Sequence, residues 1–224
     1  MILCMFTPKD RELERGWPGR IDGDHVVQLA AQTLQAFFTG GGQAREHAEY
    51  PLAEVDLRAP VLRPPSVRIF DGDGDFRFAN PAAIHGPEET VHLPAGVEEI
   101  EPVLRVAAII GAGTIGGLTL MNDWRAPGLP GAKAHDFAIS LGPVVVTPDL
   151  VDGLDVDWHA LVEWAERNTC LLPGDVIAAA GVPQAPVRPG DVAELSVPQL
   201  GLLRSPVAPA HATLPSRLAP QELA

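Results

Sequence analysis

Apolar residues in this chain occur mainly as short runs that proline and glycine interrupt. The sequence has 22 glycines and 23 prolines, and they are spread along the chain instead of pooled in one tail. Such frequent breakers are typical of many turns and short strands, so the pattern predicts a β-rich fold. The predicted strands are residues 1–6, both arms of a hairpin within 20–29, residues 105–110, 118–121 and 144–147.

Two segments have the periodicity of a helix instead. In the first, four apolar side chains fall on one helical face: Ala30, Leu34, Phe37 and Phe38. The glycines at 40–42 are expected to end that helix. The second helix is predicted over 158–168, with Asp157 as its N-cap. The predicted fold class is therefore α+β and mainly β.

Composition narrows the classes of partner. Apolar residues make up 46% of the chain, which is typical of a packed globular protein, and the net charge is −13. An acidic surface repels phosphates, so we expect neither a nucleic acid nor an anionic membrane as a partner. The apolar run 1–6 is too short for a membrane span. Cys4 and Cys170 lack metal-ligand spacing, so we expect reduced thiols and a cytoplasmic enzyme or binding protein.

Two glycine-rich motifs resemble ligand-binding loops but lack the required context. Residues 111–116 (GAGTIG) match the dinucleotide pattern, yet strand-like residues follow where a helix would have to begin. A tight turn between strands is the better interpretation. Residues 71–75 (DGDGD) begin like a calcium loop, but Phe76 and Ala82 occupy the positions of its glycine and glutamate. A polar hairpin turn is favoured there.

Three stretches together resemble the fumarylacetoacetate hydrolase family. Residues 80–87 (NPAAIHGP) resemble the substrate-side loop of its bacterial members. Residues 118–124 (LTLMNDW) resemble a strand of the form G-y-T-l-x-N-D-W, and residues 136–149 (DFAISLGPVVVTPD) resemble a D-F-a-x-S-L-G-P-x-x-v-T-P-D-E run. The stretches occur in the family's order, and the resemblance covers almost the whole chain.

The resemblance implies a mixed β-roll preceded by a small N-terminal domain. On that basis we expect a small α+β domain over 1–60, a β-roll over 61–212 and a C-terminal tail over 213–224. It also implies a homodimer. Family members cleave or rearrange small β-dicarbonyl acids. They use a divalent metal held by carboxylates, a histidine-carboxylate pair and a lysine.

The chain departs from that family at the positions that matter. The two metal-ligand positions of the central strand hold Val103 and Arg105, and only Asp123 remains of the ligand set. Glu99 and Glu101 would need a bulge or a register shift to replace them. A lone buried carboxylate is costly, so we infer that the Arg105 guanidinium has replaced the metal beside Asp123. We therefore expect no metal and no cofactor.

Asp123, Arg105 and His135 are the candidate catalytic residues. By resemblance, His135 occupies the family's lysine position, and imidazole titrates near neutrality, so it is the best acid-base candidate. The alternative is a surface histidine in a loop. Asp123 is either a structural partner of Arg105 or part of a functional pocket.

Four further residues are candidates for binding substrate: Arg125, His85, Asn80 and Lys133. Arg125 would share the face of Asp123 if that strand continues. Solvated positions for Arg125 and Lys133, and a turn-packing role for His85, are the simpler alternatives.

Two functions remain open. The first is a metal-independent enzyme, recruited for enolisation, isomerisation, cyclisation, decarboxylation or C–C cleavage of a small β-dicarbonyl or polyketide-like substrate. Such chemistry needs only proton transfer and stabilisation of an oxyanion. The second is a non-catalytic binding protein or a subunit of an active homologue, which the missing metal pair and histidine favour.

Overall fold

The computed structural model describes residues 1–11, 13, 15–72 and 74–211. Strands dominate this part of the chain, and only two α-helices accompany them, α1 (Leu34–Thr39) and α2 (Trp158–Glu166). The strands are β1 (Ile2–Pro8), β2 (Trp17–Asp22), β3 (His25–Leu29), β4 (Glu46–Pro51), β5 (Val55–Arg58), β6 (Val67–Phe70), β7 (Phe76–Ala79), β8 (Ile84–His85), β9 (Val91–His92), β10 (Val103–Ile110), β11 (Ile115–Asp123), β12 (Ile139–Val146), β13 (Val176–Ala178), β14 (Val182–Pro183), β15 (Val192–Val197) and β16 (Gly201–Ala208). The predicted α+β, mainly β class is confirmed.

A large mixed sheet forms the body of the protein. Its main path runs β4-β3-β2-β1-β12-β11-β10-β13-β6-β7, with β5, β8 and β14 paired at its sides. The long antiparallel strands β10, β11 and β12 lie at its centre. They are almost wholly buried, because apolar residues occupy both of their faces. Polar side chains on these strands are therefore held rigidly and away from water.

A second, three-stranded sheet (β15-β16-β9) packs against the first. Leu200 and Leu203 from its β15–β16 hairpin contact Leu120 and Val144 of the central strands. The pairing of β16 with β9 is parallel, so the end of the described chain lies next to the loop that follows β8. This arrangement places the segment 80–95 over the ends of β11 and β12.

The sequence located the central strands and both helices, but it did not locate all of their ends. The turn 111–114 connects β10 directly to β11, so the interpretation as a strand-to-strand turn is confirmed. The D-G-D-G-D segment likewise connects β6 to β7 as a hairpin. Helix α1 is shorter than its apolar face suggested, because Thr33 caps it at Ala36 and so leaves Ala30 outside. Asp157 caps α2 as predicted.

The first sixty residues share the large sheet with the rest of the chain. Strand β1 pairs with β12, with Ile2 opposite Val146 and Leu3 opposite Val145. It also pairs with β2 and β5. The division at residue 60 stays a prediction, and the predicted tail 213–224 lies outside the described residues. Neither described helix is long and apolar enough to cross a membrane.

Candidate functional site

Asp123 and Arg105 form a buried ion pair between adjacent central strands. Arg105 of β10 lies opposite Met121 of β11, so Asp123, two residues on, projects from the same face of the sheet. Nε of Arg105 is 3.0 Å from Oδ2 of Asp123, and the two side chains are 6% and 1% exposed. The expected contact between these residues is present, and strand register is its cause.

A second guanidinium, from Arg77 of β7, binds the same carboxylate. Its Nη2 donates to Oδ2 of Asp123 at 2.6 Å. The Arg77 side chain is 28% exposed, so it extends from the buried pair to the surface. Sequence reasoning missed Arg77. Its only available signal was its position in a hairpin that replaces a longer family segment.

Asp71, at the start of the β6–β7 turn, completes the cluster. Its Oδ1 accepts from Nη2 of Arg105 at 2.6 Å, and its Oδ2 lies 3.6 Å from Nε of Arg77. Nη1 of Arg105 donates to the carbonyl oxygens of Phe70 and Ala179, each at 3.0 Å. Every nitrogen of the Arg105 guanidinium therefore has an acceptor, which fixes its orientation.

His135 stands at the open side of this cluster, directly after the short helical turn Gly131–Ala134. Its Nδ1 lies 3.5 Å from Nη2 of Arg77 and 4.0 Å from Oδ1 of Asp123. Burial lowers the pKa of His135, and the charge of Arg77 lowers it further, while Asp123 opposes both. The ring is therefore uncharged at neutral pH. Oδ1 of Asp123 is buried and has no hydrogen-bond partner among the described residues.

Two adjoining cavities open beside His135. The smaller, of about 290 Å³, is lined by Arg77, Phe78, His135 and Asn80 among others. The larger, of about 640 Å³, contains His85, Lys133 and Asn80 in its wall, together with His92 and His211. Asn80 belongs to both cavities, and its amide nitrogen donates to the Asp136 carbonyl oxygen at 2.9 Å. The structure thus places His135 at the smaller cavity and His85 and Lys133 at the larger one, with Asn80 and Asp136 in the walls of both.

The remaining candidates differ in their surroundings. Lys133 is 74% exposed and pairs with Asp136 at 2.8 Å, which matches the simpler alternative of a surface lysine. His85 is half-buried, and burial lowers its pKa. Arg125 lies just beyond β11 and continues its pairing in register, because backbone hydrogen bonds join it to Glu101 in both directions. It therefore lies on the strand face of Asp123, and its Nη1 is 3.2 Å from Oε2 of Glu101.

The alternative metal ligands do not reach the site. Glu101 is engaged with Arg125, and its backbone bridges the same residue. Glu99 pairs with Arg188 at 3.0 Å on the surface. The bulge that would have brought either carboxylate beside Asp123 is absent from β10, whose one irregularity falls between Ile109 and Ile110. The idea that Glu99 or Glu101 rebuilds the ligand set is wrong.

Comparison with known proteins places this fold. The chain aligns in space with maleylpyruvate hydrolase from Sphingobium sp. SYK-6, with a TM-score of 0.78 and 22% identity over 94% of this chain and 100% of that one. It is also similar to 5-carboxymethyl-2-hydroxymuconate delta-isomerase from Mycobacterium smegmatis, with a TM-score of 0.74 and 24% identity over 93% and 100% of the two chains. The chain therefore has the fold of these two enzymes.

Two further comparisons concern a third solved structure and the sequence. A 2-keto-3-deoxy-D-arabinonate dehydratase, solved with magnesium and 2,5-dioxopentanoate, matches with a TM-score of 0.76 and 15% identity, over 94% of this chain and all (100%) of that one. In sequence, this chain is 28% identical over 216 residues to Protein Rv2993c of Mycobacterium tuberculosis, which covers 70% of this chain and 80% of that protein. No family model matches the sequence.

The residues of this chain do not fit the divalent metal that the family resemblance implies. Oδ2 of Asp123 already accepts from two guanidinium groups, at 2.6 and 3.0 Å. Guanidinium nitrogens are donors only and cannot ligate a cation. Within residues 1–11, 13, 15–72 and 74–211, no group of three or more histidine, cysteine, aspartate or glutamate side chains could hold a metal ion. That the purified protein binds no metal stays a prediction.

Proposed function

We propose that this protein is an enzyme that moves a proton within a small β-dicarbonyl acid, without a metal, in the cavity beside His135. The observation that carries the proposal is the position of His135. Its uncharged ring lines the smaller cavity and lies within 4.0 Å of a buried carboxylate and 3.5 Å of a guanidinium. A base, a cation and a substrate-sized space thus occur together, in the fold of enzymes whose names describe small organic acids.

The proposed chemistry is enolisation. His135 removes a proton from the carbon between or beside two carbonyl groups, and the electron pair moves onto a carbonyl oxygen. The N–H groups of Arg77 then stabilise the enolate oxygen. Protonated His135 returns the proton to the same carbon or to another one, which gives exchange or isomerisation. Asp123 does not enter the step; it holds Arg77 and Arg105 and stabilises the charged imidazole.

The distance between His135 and Asp123 also fits a second candidate, a binding protein without catalysis. The 4.0 Å between His135 Nδ1 and Asp123 Oδ1 exceeds a hydrogen bond, so no histidine-carboxylate pair is formed. Catalytic hydrogen bonds often tighten only when substrate is bound, so this distance is compatible with either function.

The test measures turnover with chelator present. Deuterium exchange into the methylene group of acetylpyruvate and into the methyl group of pyruvate is followed by NMR in EDTA, for wild type and His135→Asn. We expect wild-type activity and a loss of at least about 100-fold in the variant, the usual effect of removing a general base. His159→Asn, an exposed histidine on α2, is the control and should change nothing. The rate should hold constant through neutral pH and fall only on acidification, because burial lowers the pKa of His135 and the base is lost when the ring is protonated.

Three results would contradict the proposal that the protein is a metal-independent enzyme. They are no turnover of either compound, turnover that survives His135→Asn, and turnover that EDTA abolishes. Binding of either compound without turnover would favour the second candidate.

A further inference from the structure

We propose that Asp71 occupies a carboxylate-binding site between Arg105 and Arg77, which takes the carboxylate of a small organic acid when the β6–β7 turn moves away. The Asp71 carboxylate spans both cations, at 2.6 Å from Nη2 of Arg105 and 3.6 Å from Nε of Arg77. Its own side chain is 56% exposed, although Arg105 is only 6% exposed. A half-exposed acid thus reaches in to meet a buried cation.

The charges of the cluster require an anion at this position. Arg105 and Arg77 carry two positive charges, and buried Asp123 neutralises only one of them. The remaining charge is partly buried, where an unpaired cation is costly. A carboxylate between the two guanidinium groups balances the cluster, whether it comes from Asp71 or from a ligand. The site therefore suits one carboxylate, not a neutral ligand.

The turn that carries Asp71 is built so that this carboxylate can leave. Pairing of β6 with β7 ends at Phe70 opposite Phe76, and Asp71 is the first residue beyond it. Gly72 and Gly74 have φ values of 89° and 77°, and there is open space around both. The Asp71 side chain is 56% exposed, and its ion pairs with Arg105 and Arg77 hold its carboxylate in place. Arg77 also lines the smaller cavity, which gives a ligand a route to the same nitrogens.

This inference deepens the proposed function, on which it rests for identifying the ligand as a substrate. In this arrangement the carboxylate of the substrate binds between Arg105 and Arg77, and its carbonyl groups face His135. A tethered carboxylate competes with the ligand, so the apparent affinity is the intrinsic affinity reduced to the fraction of molecules in which the site is open.

The test is a binding measurement that needs no turnover. Pyruvate is titrated by calorimetry into the full chain as wild type, Asp71→Ala and Asp71→Asn. We expect both substitutions to tighten pyruvate binding by about tenfold, because the competing anion is gone. Asp75→Ala is the matched control: it removes the same charge from the same turn, but among the described residues its carboxylate accepts from the Phe76 amide, at 2.8 Å, and from neither arginine. That variant should bind pyruvate within about twofold of wild type.

A double variant locates the site. The double variant Asp71→Ala, Arg77→Gln should bind pyruvate at least about tenfold more weakly than Asp71→Ala alone. The inference is overturned if Asp71→Ala and Asp71→Asn bind no tighter than Asp75→Ala, or if the gain survives Arg77→Gln. It stands, and the proposed function fails, if the gain appears as described but no variant exchanges or converts its ligand.

Discussion

Asp123 shows how one substitution reorganises a site. Arg105 faces it from the neighbouring strand, and Arg77 reaches it from the hairpin, so its Oδ2 has two charged donors. A metal ion would need those lone pairs free and further oxygen ligands around it. Arg105 and Arg77 therefore determine that Asp123 binds guanidinium groups and not a metal ion.

A double-mutant cycle tests whether Arg105 and Asp123 stabilise each other. Asp123→Ala and Arg105→Met should each lower the free energy of unfolding by about 3 kcal/mol, the lower end for a broken buried pair, because Arg77 and Asp71 remain as partial partners. The double variant should cost less than the sum by about 1–3 kcal/mol, since no charge of that pair is stranded. Chemical denaturation measures all four proteins.

The surface pair Arg188–Glu99 is the control for that cycle. Its side chains are 72% and 44% exposed, so solvent screens the interaction and no clear coupling should be measured. Equal coupling in the two pairs, or additive effects of the Arg105 and Asp123 substitutions, would contradict a buried, mutually dependent pair.

Among the elements, the β6–β7 hairpin contributes most to the site. A buried network anchors its first strand: Arg68, stacked near Phe76 and Phe78, lies 3.6 Å from Asp175, which also accepts from Ser66 at 2.7 Å. With β6 held against β13, strand β7 has a defined position, and Arg77 projects from it toward Asp123. The hairpin itself could be predicted from D-G-D-G-D, but the direction of Arg77 depends on that anchoring.

Helix α2 offers an element-scale prediction. The Asp157 carboxylate accepts from the Ala160 amide at 3.0 Å and so satisfies one of the free N–H groups at the helix start. Asp157→Ala should lower the free energy of unfolding by about 1 kcal/mol. Asp155→Ala, which removes the same charge two residues earlier, should stay within about 0.5 kcal/mol of wild type. Equal effects in chemical denaturation would mean that charge, not capping, is responsible.

At the scale of the whole molecule, the N-terminal strands and the central strands form one continuous sheet, because β1 pairs with β12 near the centre of that sheet. Association of two such chains through residues 61–212 is still a prediction from resemblance. Several large apolar side chains on this part are exposed and available to an interface: Leu150, Trp164, Leu172, Val182, Val192 and Leu202.

We expect a homodimer in solution. Light scattering coupled to gel filtration at micromolar concentration should give twice the chain mass of 23.7 kDa. Burial of an apolar interface should also make the melting temperature rise with protein concentration. A mass of one chain throughout a dilution series from micromolar concentrations would contradict the prediction.

The sequence by itself determined the central strands and the turns at 71–75 and 111–114, and the family resemblance added the ion pair of Arg105 with Asp123. Alternation and glycine or proline punctuation are local signals, and the register of two strands joined by a short turn follows from that turn. Capping of α2 by Asp157 is local in the same way.

Only the tertiary structure decided the rest of the site. Arg77 and Asp71 reach Asp123 and Arg105 because β6 joins β13 across more than a hundred residues of chain, and no local pattern encodes such a pairing. The same holds for the ion pair of Arg125 with Glu101, which forms because the pairing of β10 with β11 continues past Asp123 and places these two residues opposite each other. Charged side chains are long and can meet several partners, so their final contacts are set by the packing around them and not by their spacing in the sequence.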